Sequence, residues 1–406
     1  MKILTLSPVP LYPIRSGLEL RIYNLLRPLC DRHEISLLSF APEIEPSPEE
    51  LEHLHDLFDK VKIVKLEETV PDTLPLIKRI PSWISPSSIT FGPGSQSKKM
   101  QNSLDCLLEG NNYDLIFVAS AFVLNYVLNC KTLPIVFDAI DDTSLLFRRE
   151  INQQSSLANK LRATKDWLIV RQTEKKLYSR FNEIVLTSPT DAAIMRSLCP
   201  RSNITVIPNG VNANSYNEKF QITEKPTLIF TGVMNYGPNI KAMTFFCHSV
   251  LPLIEKQIPE IELAIVGRNP SEELIALGKS SDRITVMGTV DDLKPYIGSA
   301  WVYICPLITG AGIKNKVLEA WSSEIPIVAT SLSCEGINVA PDEDILVADT
   351  PVQFAEAVIK LLMDRKYAAK LAQAGRKKVL KQYDWESKAQ ALEQLFERAI
   401  KQFRRY

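Results

Sequence analysis

Histidine is scarce in this chain, with four in 406 residues. The seven cysteines (Cys30, Cys106, Cys130, Cys199, Cys247, Cys305 and Cys334) are scattered. They form no C-x-x-C pair and have no histidine-rich neighbourhood. That excludes a zinc site or disulfide framework of recognisable spacing and suits free thiols in a reducing compartment. Neither sign of charge is in excess: 47 Lys plus Arg balance 47 Asp plus Glu. That balance argues against a nucleic-acid-binding role for the chain as a whole and leaves a local basic patch open. No apolar run approaches the ~20 residues of a membrane span. The opening "MKILTLSPVPLYP" meets Pro8 too early for a signal peptide. The expectation is a soluble, cytoplasmic protein.

What is present is apolar material for two cores, 45% of a chain too long for one ordinary domain. Short apolar runs alternate with helical patterns. In the first half strands are predicted at Lys2–Leu6, Glu34–Phe40, Val61–Leu66, Asp114–Ala119, Pro134–Ala139 and Glu183–Ser188. A helix is predicted over Gly17–Cys30. Continuous apolar strands alternating with helices specify a parallel sheet covered on both faces. Val70–Ser97 breaks this rhythm as a Pro- and Ser-rich excursion, and Asp142–Arg180 is a second insertion, read as a basic helix. After the turn residues Pro208, Asn209 and Gly210 the alternation restarts. Strands follow at Thr227–Gly232, Glu262–Gly267, Ile284–Gly288, Trp301–Leu307, Ile325–Thr330 and Ile345–Ala348. The reading is two doubly wound α/β domains, 1–212 and 213–383, followed by a segment 384–406 that reads as an amphipathic helix. Its Ala389, Leu392, Leu395, Phe396 and Ile400 share one face.

One stretch carries chemistry. "WVYICPL" is followed by "ITGAGIKNKVLEA". Open α/β sheets bind ligands at the carboxyl ends of their strands, so this loop lies where a ligand would. Gly310 and Gly312 let backbone approach closely. A helix expected to begin near Ile313 offers free N–H groups and partial positive charge. Lys314 and Lys316 add two full charges, and Glu319 follows Lys316 by about one turn on the same face. The combination suits a diphosphate and a ribose. The spacing is not that of a P-loop, and no strand leads into a clean G-x-G-x-x-G, which disfavours an ordinary NTPase and a dinucleotide dehydrogenase.

The segment "PLITGAGIKNKVLEAWSSEIPIVATSLSCEGI" resembles the donor-site signature of the GT-B glycosyltransferases of family 4 (glycosyltransferase group 1). "SPVPLYPIRSGLELRIYNLLRPL", "IPNGVN", "FTGVMNYGPNIKAMTFF", "VGRNP" and "VMGTVDDLKPYIGSAWVYICPL" agree in order, so the resemblance spans nearly the whole chain. It implies two Rossmann-like domains facing a cleft, with the last helix crossing back to the first domain. It also implies transfer of a sugar from a nucleotide-diphosphate sugar to a hydroxyl, with retention, without a metal or other cofactor. By position, Glu319 would bind the ribose. Lys314, Lys316 and the backbone of Ala311 to Ile313 would hold the diphosphate, with Gly310 and Gly312 opening the loop. Gly17 would approach the donor phosphates, and Glu335 and Gly336 would lie near the donor. Arg268 would lie on the nucleobase side, and Gly232 with Asn235 and Asn239 would form the first donor-domain loop.

The chain departs from the family pattern at three places. The first acidic residue of the family's pair is replaced by Ala311. The loop "GVMNYGPN" has no basic residue, which shifts the phosphate load to Lys314 and Lys316. Ile140 stands where a histidine is common, leaving Asp138 and Asp141 as catalytic candidates beside Asp142, with helix capping as the plainer role for Asp141 or Asp142. Lys78, Arg79 and Trp83 are acceptor-side candidates. The acceptor is expected to be a saccharide, a lipid-linked acceptor or a small molecule. The basic run Lys160, Arg162, Lys165, Arg171, Lys175, Lys176 and Arg180, with Trp167 and Leu168, suggests peripheral contact with the inner face of a membrane. The rival readings are a GT-B nucleotide-sugar epimerase and a non-catalytic partner subunit that binds nucleotide sugar.

Overall fold

The computed structural model describes residues 1–41, 46–65, 97–153, 156–310 and 312–405. The chain divides into two compact units, Met1–Pro208 with Glu386–Tyr406, and Asn209–Trp385. The break thus falls at Pro208 rather than at residue 212, and the last segment is counted with the first unit.

Seven strands form the sheet of the first unit: β1 (Lys2–Ser7), β2 (Glu34–Phe40), β3 (Lys60–Val64), β4 (Leu115–Ala119), β5 (Ile135–Ile140), β6 (Glu183–Leu186) and β7 (Asn203–Val206). Their order is β3-β2-β1-β4-β5-β6-β7, every pair parallel. β1, β2 and β4 are almost entirely buried, as continuous apolar runs covered on both faces must be. Strand β7 escapes a sequence reading because its four residues are a partly exposed edge without an apolar run. Helices α1 (Gly17–Cys30), α2 (Pro48–Leu57) and α3 (Lys98–Glu109) begin at Ser16, Ser47 and Ser97, whose hydroxyls accept from the first-turn N–H groups. The insertion expected as one helix is two, α4 (Thr143–Gln153) and α5 (Leu157–Tyr178). Ser156 caps the second. α6 (Pro189–Leu198) precedes β7. The expected excursion and its Lys78, Arg79 and Trp83 fall on residues 66–96, outside the described residues.

The second unit repeats the plan with six parallel strands: β8 (Thr227–Thr231), β9 (Glu262–Val266), β10 (Ile284–Met287), β11 (Val302–Cys305), β12 (Ile327–Ala329) and β13 (Leu346–Val347). Their order is β10-β9-β8-β11-β12-β13. Ranked along the chain this is 3-2-1-4-5-6, the Rossmann order, whose direction reverses between the first and fourth strands. Helices α7 (Gly237–Phe245), α8 (Leu251–Glu255), α9 (Glu272–Ser280), α10 (Lys294–Ser299), α11 (Asn315–Ser322), α12 (Pro351–Met363) and α13 (Arg365–Gln382) clothe it. A π-helical turn, Phe246–Val250, joins α7 to α8.

The last helix, α14 (Trp385–Phe403), packs from Glu386 onward on the first unit. Ala389, Leu392, Leu395, Phe396 and Ile400 are all buried, as their spacing predicts. Phe396 meets Phe117 edge-on at 5.3 Å. Arg398 and Arg404 pair with Glu183 and Asp114 at 3.0 and 2.9 Å. Each buried Leu or Phe contributes roughly 1.5–3 kcal/mol, far more than the exposed Arg404–Asp114 pair.

Candidate functional site

In the second unit the order reversal falls between β8, with β9 beyond it, and β11, with β12 beyond it. The loops leaving the carboxyl ends of β8 and β11 therefore diverge and open a crevice. The residues singled out in the sequence gather there. β8 ends at Thr231, whose buried hydroxyl shares a 2.7 Å hydrogen bond with Tyr303 of β11. Gly232 follows. A Cβ there would lie 2.8 Å from Asn239 Nδ2 and 3.1 Å from Lys316 Nζ. The side chain that glycine omits makes room for an ammonium and an amide.

Lys316, in the first turn of α11, donates from Nζ to Asn239 Oδ1 at 2.8 Å and sits 4.0 Å over the Phe230 ring. Asn239 Nδ2 donates in turn to Val233 O at 2.9 Å, which fixes the amide's orientation. Burial pushes the Lys316 ammonium down to about 8, with the sulfur of Cys305 and the carboxylate of Glu319 pulling the other way. Glu319 is half-buried one turn on, and burial pushes its carboxyl up while Lys316 opposes this. Tyr216 and Tyr303 both feel the Glu319 charge.

The helix expected near Ile313 begins at Asn315 instead, with Lys314 as its N-cap residue. The two lysines therefore play different parts. Lys314 is buried and its ammonium turns back to the carbonyl of Gly312, holding the loop closed on itself. Gly310 and Gly312 have φ of +122° and +71°, conformations that side-chain-bearing residues rarely adopt. Ala311 lies outside the described residues. Asn315 accepts from Asn209 Nδ2 at 2.9 Å, anchoring the start of α11.

Capping varies along the chain, and α8 and α10 are without a side-chain cap. Ser16, Ser47, Ser97, Ser156, Ser188, Ser271, Thr350 and Asp364 each cap a helix elsewhere with a side-chain oxygen. Neither α7 nor α11 has a side-chain cap, and both begin at the ends of β8 and β11. Two helix N-termini without side-chain caps, each with its partial positive charge, thus meet at the Lys316 ammonium. This arrangement binds an anion.

The remaining donor-side candidates fall around it. Met234 N–H donates to Arg268 O at 2.8 Å, tying the β8 loop to the end of β9. Gly267 packs so tightly on Gly232 that an added Cβ would lie 1.7 Å from its carbonyl oxygen. Glu335 and Gly336 follow the turn Ser331–Cys334 after β12. That turn is laced to the β11 loop, Thr330 Oγ1 donating to Leu307 O at 2.6 Å and Ser333 Oγ to Cys305 O at 2.6 Å. Ile313 is half-buried against the core. Asn235 is exposed, and it is Asn239, buried in the first turn of α7, that reaches Lys316. Choosing between these asparagines needed the start of α7 at Gly237, which places position 239 on its inner face.

In the first unit Gly17 is the exposed first residue of α1, with nothing within 4 Å of an added Cβ. Asp138 is fully buried. Arg21 Nε and Nη2 each lie 2.9 Å from its Oδ2, and its Oδ1 accepts from Ile140 N–H at 2.9 Å. Ile140 has φ +66° where the β5 register shifts, a costly conformation for a β-branched residue. Asp138 therefore braces a strained strand end from within. Asp141 accepts from Thr187 Oγ1 at 2.8 Å, and the buried Asp142 accepts from Leu145 N–H at 2.9 Å as a helix cap. Arg21 escaped a sequence reading because it looks like any other cation of an amphipathic helix.

Residues 225–364 match the family model for glycosyl transferases group 1. An uncharacterized 44.6 kDa protein in the cps region of Klebsiella pneumoniae is 24% identical, over 61% of this chain and 65% of that protein. A GDP-mannose-dependent alpha-(1-6)-phosphatidylinositol monomannoside mannosyltransferase of Mycobacterium tuberculosis is 26% identical, over 51% of this chain and 59% of that protein. This chain thus spans less than two thirds of the length of these curated relatives. The fold is similar to that of a sucrose-phosphate synthase of Thermosynechococcus elongatus, with TM-score 0.69 and 18% identity, over 98% of both chains. With its two Rossmann-like units, the chain has a GT-B fold, and over residues 225–364 it is similar to the glycosyl transferases group 1.

Proposed function

We propose that this protein transfers a sugar from a nucleotide-diphosphate sugar to a hydroxyl acceptor, with retention, in polysaccharide or glycoconjugate biosynthesis. The observation that carries this reading is the meeting of Lys316 with the two uncapped helix N-termini at the strand-order reversal. A diphosphate leaving group accumulates negative charge as the bond from the anomeric carbon to its oxygen breaks. Cations and N–H groups fixed in place before reaction stabilise that charge without reorganising. Lys316 is the charge donor at this position, Lys314 shapes the loop, and Glu319 accepts from the ribose hydroxyls. On this reading no metal is required, because the protein's own positive groups meet the diphosphate. The acceptor oxygen attacks the anomeric carbon on the face the diphosphate leaves, and its proton passes to a departing phosphate oxygen. The mycobacterial relative is named for its GDP-mannose dependence and a phosphatidylinositol acceptor, which supports a nucleotide-diphosphate donor and a lipid-linked acceptor. We place the protein in the cytoplasm, peripheral to the membrane's inner face. Among the described residues no helix is long and apolar enough to cross a membrane.

The test is a panel of nucleotide sugars read by thermal shift and by release of nucleoside diphosphate. Lys316→Ala and Glu319→Ala are run alongside. One donor should raise the melting temperature and release its diphosphate, with both effects lost in the variants. Donor binding without release, even with mixed acceptor extracts, would favour a non-catalytic nucleotide-sugar-binding subunit. Absence of any binding would overturn the reading.

A further inference from the structure

The sequence draws attention to the cations of α5, but the structure also exposes its leucines. Leu157, Leu161 and Leu168 are 75%, 65% and 46% exposed. At about 100° per residue they fall within about 40° of one another on the helix, a stripe about 16 Å long. On the same projection Lys160 and Arg171 lie on one flank, about 40–60° away, and Lys165 and Lys176 on the other, at about 80–100°. Lys175 continues the line of Leu157. The only acids of this 22-residue helix are Asp166, on the far side, and Glu174, which is buried. The core-facing residues Val170 and Glu174 lie about 140° and 100° from Leu157, and the buried Tyr178 closes the last turn beyond the stripe.

We propose that this face of α5 docks on an anionic lipid surface, the leucines entering the acyl boundary and the flanking cations meeting the headgroups. An apolar line edged on both sides by basic residues is how a helix lies in a membrane interface. A second copy of the chain is the wrong occupant, since it would set Lys160, Lys165, Arg171 and Lys175 against their own like charges. The proposal rests on the peripheral placement above. Vesicle binding requires neither donor nor turnover, so it and the transferase reading fail separately.

The experiment is flotation of the full chain with phosphatidylcholine vesicles, with or without 30% phosphatidylglycerol as probe (a working composition of about that fraction). Three proteins are compared: native, Leu157→Gln with Leu161→Gln, and Lys160→Gln with Lys165→Gln. All four substituted side chains stand at or near the surface of one helix, and circular dichroism checks the fold. The native chain should bind the anionic vesicles and not the neutral ones. The leucine variant should lose about tenfold or more in affinity with its charge intact. The lysine variant should lose affinity and much of its salt dependence. Unchanged binding by the leucine variant, binding to neither vesicle, or a leucine-dependent dimer in solution without vesicle binding would each overturn the proposal.

Discussion

Lys316 allows the donor reading to be tested by pH alone. Its ammonium lies over Phe230 and holds Asn239, and burial brings its pKa down to about 8. If the diphosphate requires the charged form, apparent affinity is the intrinsic affinity multiplied by the charged fraction. That fraction is about 0.9 at pH 7, about 0.5 at pH 8 and about 0.1 at pH 9. The dissociation constant of a nucleoside diphosphate should therefore rise about tenfold from pH 7 to pH 9, or about 1.4 kcal/mol. The phosphates contribute little to this slope because their last ionisation, near pH 6, lies below the window. Isothermal titration in buffers of different ionisation enthalpy should also reveal uptake of about half a proton at pH 8. Lys316→Arg should flatten the profile, because guanidinium remains charged throughout. Lys316→Met should bind weakly at every pH. A native dissociation constant that is flat from pH 7 to pH 9, or a slope that survives in Lys316→Arg, would refute the argument.

Three further outcomes follow from packing and charge. Gly267→Ala forces a methyl group into the Gly232 carbonyl and should lower Tm by several degrees and weaken nucleotide binding. Gly288→Ala, with nothing within 4 Å of the new Cβ, is the control. Glu174 is buried, and burial with the nearby Asp142 charge pushes its carboxyl from 4.5 up to about 8. Its favourable contribution is complete below pH 4.5 and is lost as pH rises from there through about 8. Glu174→Gln should therefore raise Tm at pH 8.5 and change it little near pH 4.5, as calorimetry at the two pH values would show. Arg21→Met leaves the fully buried Asp138 carboxylate without its cation and should cost roughly 3–5 kcal/mol in urea unfolding. Arg21→Met combined with Asp138→Asn should recover part of that loss; a double variant as unstable as the single one would argue against an uncompensated charge.

The sequence alone specifies much of this molecule. Twelve of the strand segments could be read from short apolar runs, most of them because a strand buried on both faces needs such a run; the partly exposed β3 and β10 kept enough apolar residues to be read as well. The α14 face was legible for the same local reason: Ala389, Leu392, Leu395, Phe396 and Ile400 recur at helical spacing. The glycines, lysines and glutamate after β11 were legible because a strand, a loop and a helix start follow one another directly in sequence. Tertiary structure decided what those residues do. Lys316 finds Asn239 across 77 positions and Arg21 finds Asp138 across 117, and no periodicity encodes either pair. Whether α7 and α11 lack side-chain caps, or Leu157 and Leu161 lack cover, depends on where each helix begins and which face the sheet takes. Local pattern fixes the elements, while long-range packing sets which charges are buried, which helix starts stay without a side-chain cap and which apolar faces stay open.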